Sequence, residues 1–409
     1  MINDLVVIGA GAAGLCVAVY FKQNNPEKTV RILESQPRVG KKLALTGNGR
    51  CNITNKNIDI SRYHGQNRDF CAYALDRYNR FTVEKFFEDI GVNFTFEEDK
   101  AFPSSFQAAS VVDCLRFAAE ELGVITHLET PVTNLQISGG NYKIISDKLT
   151  FLAKRVIIAS GLLSGGDRLG CDGSMLNILK KAGYKTVKTT PSLVQIKTET
   201  DIVRQLKGIK INTEVTLLVD GKPSRREYGE TLFCDYGLSG PPILQISRGV
   251  SLTDKRCEIS LDIMPETDFN SLIAILRQRV KKLSKRNVDE FFTGMLNKRV
   301  GQVLLKSVGS KMTDKAADIN EARLEKLAQL MKDWRFSVTG TTGFLNSQVT
   351  AGGLDTTQFC DKTMESKIDK GLYAIGEILD IDGDCGGFNL QWAWSSAMCA
   401  ADAIREADR

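Results

Sequence analysis

Three kinds of hydrophobic patterning divide the chain. The first is an unbroken apolar run at 5–21, LVVIGAGAAGLCVAVYF. It is short for a membrane span, holds three glycines and follows Asp4 rather than a basic segment. A buried strand turning into a buried helix is therefore expected, not a signal peptide or an anchor. A second short strand follows at 30–33, and helical stretches are expected near 69–90 and 110–122. The segment ETPVTNLQISGGNYKIISDKLTFLAKRVIIASG then reads as a meander of strands. It turns at Gly139-Gly140 and ends in a buried strand at 156–159.

The second kind of pattern begins near Val194. Short alternating runs at 194–196, 213–219, 225–231 and 259–263 predict a small β-barrel or sandwich. The third kind is helical. Leu272, Ile273, Leu276, Val280 and Leu283 recur at helical spacing, as do Leu324, Leu327, Leu330, Met331 and Trp334, which predicts the core of a small helical cluster. A last strand at 372–375 runs into Gly376, Glu377 and Asp380, then a loop of glycine and aspartate, then a helix from about Leu390. Strands near both ends enclosing a different pattern imply an α/β domain, 1–190 with 337–409, interrupted by an insertion. The insertion divides into a barrel-like part, 191–265, and a helical part, 266–336.

The junction of the first strand and helix carries chemistry. Gly9, Gly11 and Gly14 make G-x-G-x-x-G, and Glu34 ends the next strand about 20 residues further on. Gly9 permits the tight turn, Gly11 lets backbone approach a pyrophosphate, and Gly14 lets helix and strand sit close. The helix N-terminus offers unpaired N–H groups to phosphates. Glu34 would accept hydrogen bonds from ribose hydroxyls and disfavour a 2′-phosphate there. This is a dinucleotide fingerprint, and by itself it does not separate NAD from FAD.

The remainder favours FAD. A long polar and glycine-rich loop at 35–57, containing LTGNGRCNITN, stands where an NAD dehydrogenase would continue with regular βα units. The C-terminal strand–acid–glycine–helix unit supplies a second helix N-terminus, suited to the electron-rich N1/O2 edge of a reduced flavin. A second G-x-G-x-x-G is missing, so NADH or NADPH would bind transiently at the flavin face, in alternation with substrate. Alternatively, electrons pass from substrate to flavin and then to oxygen.

Composition narrows this further. At 409 residues the chain is long for one compact domain, and 42% hydrophobic with 25% charged content is that of a soluble globular protein. A net charge of +5 suits anionic ligands without demanding nucleic acid. Ten cysteines without a C-x-x-C pair, beside only His64 and His127, argue against a zinc site and fit a reducing cytoplasm. Arg277, Arg279, Lys281, Lys282, Lys285 and Arg286 form a basic helix face. It reads as solvated surface rather than an RNA site, because aromatic residues for base stacking are absent beside it. The two histidines lie outside the glycine motifs, so a histidine acid–base pair is not expected. Tyr236 is either a proton donor or a packed loop aromatic.

GAGAAG (9–14), TGNGRCNITN (46–55), LFCDYGLSGPPILQIS (232–247), VTAGGL (349–354) and GLYAIGEILDIDGDCGGFNLQWAWSSA (371–397) together resemble the BaiN-like, aminoacetone-oxidase-like family of FAD-binding oxidoreductases. The resemblance spans the chain. It implies a Rossmann-like FAD-binding domain of the glutathione-reductase type carrying one large insertion. It implies that Gly9, Gly11, Ala13 and Gly14 hold the pyrophosphate and Glu34 the ribose, with Lys42 and Leu43 along the cofactor. Asn48, Gly49, Arg50, Cys51 and Asn52 would pass near the isoalloxazine. Val132 would bracket the adenine, and Ala159, Ser160 and Gly161 would approach the ribose. Gly376, Glu377 and Asp380 would meet the ribityl-phosphate, and Gly387, Phe388, Asn389, Leu390 and Gln391 the pyrimidine end. One departure is the 158–164 segment, IASGLLS, where the family usually continues as Thr-Gly-Gly with serine, tyrosine and proline. The loop to Gly173 is therefore expected to differ in shape.

The expectation is a soluble, cytoplasmic FAD-dependent oxidoreductase acting on a small molecule, with neither a membrane nor a nucleic-acid partner. Flavin-mediated hydride transfer from NAD(P)H to an activated C=C or C=O bond is one form of it. Oxidation of a small amine or alcohol with oxygen is another, and an FAD-bearing RNA-binding or RNA-modification factor is a third. Arg50 either offsets negative charge on flavin or substrate, or clamps its loop. Cys51 and Cys385 could form a redox couple, but without C-x-x-C spacing two separate thiols are favoured.

Overall fold

The fold is given by a computed structural model that describes residues 2–138 and 140–408. The Gly139 half of the expected Gly139-Gly140 turn therefore lies outside the described residues. The chain forms two compact units, one running to Pro191 and resuming at Phe344, the other Ser192–Gly343.

In the first unit, strands Ile125–His127, Val30–Leu33, Ile2–Ile8 and Thr150–Ile158 lie side by side in parallel. The long strand Thr150–Ile158 serves two neighbours on its other edge. Its first half pairs antiparallel with Asn141–Ser146, and its second half pairs parallel with the C-terminal strand Leu372–Ala374. Leu5, Val6, Val7, Ile32, Val156, Ile157 and Ile158 are all fully or almost fully buried. That is why these strands read as continuous apolar runs: a parallel sheet is covered on both faces. The helix Ala12–Asn24 packs on the strands Ile2–Ile8 and Val30–Leu33, and the C-terminal helix Phe388–Ala407 packs along that helix. The C-terminal helix is apolar nearly all round and buries Trp392, Trp394, Ala397 and Met398.

The helical stretch expected over 69–90 is broken into Ala72–Arg77 and Arg80–Asp89. The cause is visible at Tyr78, whose carbonyl accepts from Gln391 Nε2 (3.0 Å) and Ser395 Oγ (2.7 Å) instead of a helical amide. Asn79 then caps the second helix by accepting from the amides of Phe81 and Thr82.

The second unit is a closed six-stranded barrel with helices packed on it. Around the barrel run Ile196–Thr198, Gly237–Ser239, Lys222–Phe233, Lys210–Val219, Cys257–Asp262 and Trp334–Thr341. The closing strand Trp334–Thr341 pairs with both Cys257–Asp262 and Ile196–Thr198. Trp334 thus opens a strand instead of ending a helical stripe, and the unit ends at Gly343 rather than at 336. Barrel residues Ile259, Leu261 and Phe336 share one core with Leu272, Leu276 and Leu327 of the helices Phe269–Lys282 and Glu321–Lys332. The insertion is therefore one unit, not a barrel and a separate helical subdomain. The helix Pro241–Ser251 was not expected within the barrel segment. Its signal was Pro241-Pro242, since proline is well tolerated in a first helical turn. None of the helices among the described residues is long and apolar enough to cross a membrane.

Candidate functional site

The glycine turn is held by backbone packing from three directions. Gly9 has φ 104°, and a Cβ placed there would lie 2.6 Å from the Ala159 carbonyl oxygen. At Gly14 a Cβ would lie 1.9 Å from the Gly9 carbonyl oxygen, so the helix meets the turn with no room for a side chain. Gly11 is different: nothing in the protein lies within 4 Å of a Cβ built there. It faces the open side of the turn, at the start of the helix Ala12–Asn24. Glu34 reaches into the same turn, Oε2 accepting from the Ala10 amide (2.7 Å) and Oε1 from the Gln36 amide (2.9 Å). Ala159 donates its amide to Ile8 (2.9 Å), and Ser160 and Gly161 follow at the strand end. A Cβ on Gly376 would stand 3.1 Å from the Ala13 Cβ, which places the start of the C-terminal loop against the first helix.

The residues expected along the cofactor are joined by an ion pair. Lys42 Nζ lies 2.5 Å from Glu377 Oε2, while Glu377 Oε1 accepts from the Thr350 amide (3.1 Å). Burial disfavours the Lys42 charge, but the Glu377 carboxylate outweighs it and raises the ammonium pKa. Leu43 is buried beside them. The Asp380 carboxylate accepts from the Gln66 amide (2.8 Å). Val132 heads its strand opposite Ser146. It is Glu129 and Thr130, just before it, whose amides bond to the carbonyls of Gln36 and Glu34.

The loop at 46–55 takes a conformation that its composition permits. Gly47, Asn48, Gly49 and Cys51 all have left-handed φ, between 56° and 83°, so the turn Thr46–Gly49 is not a right-handed helix. Two of these four are not glycine, and holding them there costs on the order of 1 kcal/mol each. Arg50 helps to hold the loop. Its guanidinium lies 4.5 Å from the Phe102 ring centre and 4.4 Å from that of Phe106, and it pairs with Glu97 at 2.6 Å. These are the contacts that the clamp reading of Arg50 expects. Cys51 is fully buried, and loss of solvent pushes its thiol up to about 12 despite a bond from Thr46. All ten cysteines are free thiols.

This loop is laced to the start of the C-terminal helix. Trp394 Nε1 donates to Ile53 O (3.0 Å), Thr54 Oγ1 to Gln391 Oε1 (2.6 Å), and Asn55 Nδ2 to Gly386 O (2.8 Å). Gly387 begins the helix with φ 99° and no side-chain cap on its first amides. A Cβ on Gly387 would stand 2.9 Å from Asn52 Oδ1. That oxygen is buried and has no hydrogen-bond partner in the protein. A buried orphan acceptor beside uncapped helix amides is an incomplete polar site. It suits the pyrimidine edge of a flavin, which alternates acceptors and donors. Phe388 is buried, its carbonyl accepting from Tyr63 (3.0 Å), and Leu390 is half-buried.

Two expected contacts point elsewhere. Gln391 is fully buried and spends its amide on Thr54, Tyr78 and Ser395. Asn389 bonds back to Gly383 N and O, both at 2.8 Å. Both side chains pin the loop.

His64, set aside on sequence, belongs to this region. The two-residue strand Tyr63–His64 pairs with Asp382–Gly383, and His64 Nε2 lies 2.8 Å from Asp384 Oδ1. Asp384 is 4% exposed, its amide donates to Arg62 O (2.8 Å), and its Oδ2 lies 3.5 Å from Arg62 Nη1. The partners are 320 positions apart, and no local pattern could have joined them.

A parallel dinucleotide-type sheet, a glycine turn answered by Glu34 and a polar edge at the last helix define an FAD-dependent oxidoreductase of Rossmann type. The chain belongs to the HI0933-like family, whose model, described as HI0933-like protein Rossmann domain, matches residues 3–403. It is 32% identical over 407 residues to the 3-dehydro-bile acid delta(4,6)-reductase of Clostridium scindens, covering 99% of both chains. It is 30% identical over 409 residues to the ribosomal RNA dihydrouridine synthase of Haemophilus influenzae, covering 98% of both. Among solved structures, a quinol–fumarate reductase with menaquinol shares the fold at 14% identity and TM-score 0.53, over 99% of this chain and 71% of that one.

Proposed function

We propose that this protein reduces a carbon–carbon double bond conjugated to a carbonyl, using FAD in the site above and a nicotinamide dinucleotide as electron source. The observation that carries the flavin site is the buried, partnerless Asn52 Oδ1 beside the uncapped amides at Gly387. On this reading Gly9, Gly11, Ala13 and Gly14 hold the pyrophosphate, Glu34 and the 159–161 segment the ribose, and Lys42, Leu43, Gly376, Glu377 and Asp380 the linking chain. The backbone of 48–52, Asn52 Oδ1 and the start of the last helix hold the ring.

Bound there, the flavin supplies hydride transfer. The protein supplies the rest. The helix N-terminus stabilises negative charge at the ring edge. The Arg50 clamp and the left-handed loop keep backbone close to the ring. His64, oriented by Asp384 through Nε2, leaves Nδ1 to exchange a proton with substrate. Hydride on the β-carbon and a proton on the α-carbon then complete the saturation, and the carbonyl is retained. The names of the two relatives support this choice, because a delta(4,6)-reductase and a dihydrouridine synthase both saturate a C=C bond. A 3-oxo-Δ4 steroid and a uridine-containing RNA are therefore the two substrates to offer. Product analysis after incubation with NADPH should show the C=C bond lost and the C=O bond kept in one of them. Reduction of the carbonyl instead, or turnover only of an amine or alcohol with oxygen, would refute the proposal.

A further inference from the structure

The motif LFCDYGLSGPPILQIS lies wholly in the insertion, and flavin binding does not account for it. Its Cys234–Gly237 turn is pressed onto the strand Ile196–Thr198. The Cys234 amide donates to Gly237 O (2.8 Å) and the Thr198 amide to Tyr236 O (3.1 Å). Gly237 has φ 151°, and a Cβ there would lie 2.2 Å from the Ile196 carbonyl oxygen, so only glycine allows this approach. The result is that Tyr236 is placed beside Lys197 in an open groove of about 470 Å³, lined also by Thr198, Thr200, Arg204, Asp235 and Thr339. That volume is within the range of small-molecule sites.

The groove is lined by two cations, Lys197 and Arg204, and one carboxylate, Asp235, on which the Arg204 charge also acts. Asp235 is already paired with Lys207 at 2.6 Å, and that ammonium holds its carboxyl below the usual range. Lys197 and Arg204 have no ion-pair partner among the described residues, and the flanking acids Glu199 and Asp201 do not line the groove. Burial and a hydrogen bond with the Cys234 thiol push the Tyr236 hydroxyl well above its usual pKa. The insertion as a whole carries the chain's positive charge. Residues 192–343 hold 25 Lys and Arg against 19 Asp and Glu, while the rest of the chain holds 29 against 30.

We propose that the Lys197–Arg204–Tyr236 groove is a phosphate-binding subsite of the insertion. An ammonium, a guanidinium and a tyrosine line one groove, from the strand Ile196–Thr198, the helix Asp201–Gln205 and the Cys234–Gly237 turn. That arrangement suits a tetrahedral phosphate better than a carboxylate, which a single arginine fork can satisfy. The tyrosine ring beside the cations adds a face on which a base can stack. Two sources share this chemistry: a phosphorylated dinucleotide and a nucleic-acid phosphodiester.

The test is direct binding to the full flavin-loaded chain, with pyrophosphate, NADPH and a labelled oligouridylate as probes and glycocholate as the carboxylate control. The double variant Lys197→Ala/Arg204→Ala should weaken at least one phosphate probe about tenfold or more at roughly 150 mM salt. The variant Lys281→Ala/Lys282→Ala removes equal charge from the exposed basic helix and should change binding by less than about twofold. Unchanged flavin absorbance and melting temperature show that both variants are folded. Loss with NADPH identifies the dinucleotide as the source, and loss with oligouridylate alone identifies the polynucleotide. Equal losses in both variants, absence of saturable binding by every phosphate probe, or tighter binding of glycocholate would overturn the proposal.

Discussion

Gly11 and Gly14 separate two duties that one short motif combines. Gly14 is required by the protein itself, because a Cβ there would fall 1.9 Å from a backbone oxygen. Gly14→Ala should destabilise the flavin unit by about 3 kcal/mol, read as a lowered melting temperature of the apoprotein. Gly11 has no protein neighbour within 4 Å of that position, so Gly11→Ala should cost only about 1 kcal/mol of helix-start stability. It should nevertheless lose flavin on gel filtration, since on the proposed binding mode the added methyl enters the space of the pyrophosphate. Normal flavin retention in Gly11→Ala would show that the cofactor lies elsewhere. At this scale the turn and Glu34 were legible, because motif and packing reside in one local stretch. The directions of Asn389 and Gln391 were not, because they depend on which groups across the fold capture their amides.

Among elements, the short pairing of Tyr63–His64 with Asp382–Gly383 has the largest consequence. It brings the imidazole to Asp384 in the loop that opens the C-terminal helix. His64→Asn should slow saturation of the C=C bond about a hundredfold. The same variant should keep its flavin and still be bleached by the nicotinamide donor, because His64 has no part in holding the ring. Parallel loss of both half-reactions would instead mark His64 as a structural residue. Elements with a clear apolar signature, such as the continuous run ending Ile2–Ile8 and the helical stripe of Phe269–Lys282, were readable from the chain. Two-residue strands have no period to read, and the helix break at Tyr78 is imposed by Gln391 and Ser395 from a distant helix.

At the scale of the whole molecule, the sequence located the insertion but placed its end too early, since the closing strand Trp334–Thr341 follows the helices. Its two ends meet within the barrel: Ile196 pairs with Thr341, and the Thr342 amide donates to Gln195 O (3.1 Å). In the flavin unit the Asp355 amide donates to Lys185 O (3.0 Å), so that unit is also stitched across the cut. Residues 192–343 expressed alone should fold into a colourless domain with a cooperative melt. The remainder, joined by a short glycine–serine linker, should still bind FAD. Failure of the remainder to bind FAD would mean that the insertion helps to form the cofactor site.

The central claim, that reducing equivalents pass from a nicotinamide through bound FAD to a conjugated double bond, is met most directly by one anaerobic experiment. The purified protein is reduced with NADPH or NADH while its flavin absorbance is followed, and a 3-oxo-Δ4 steroid or a uridine-containing RNA is then added. The predicted result is bleaching by the dinucleotide and return of the yellow colour with one of the conjugated substrates, without oxygen. A protein that cannot be bleached by either dinucleotide, or that regains colour only when air is admitted, would contradict it.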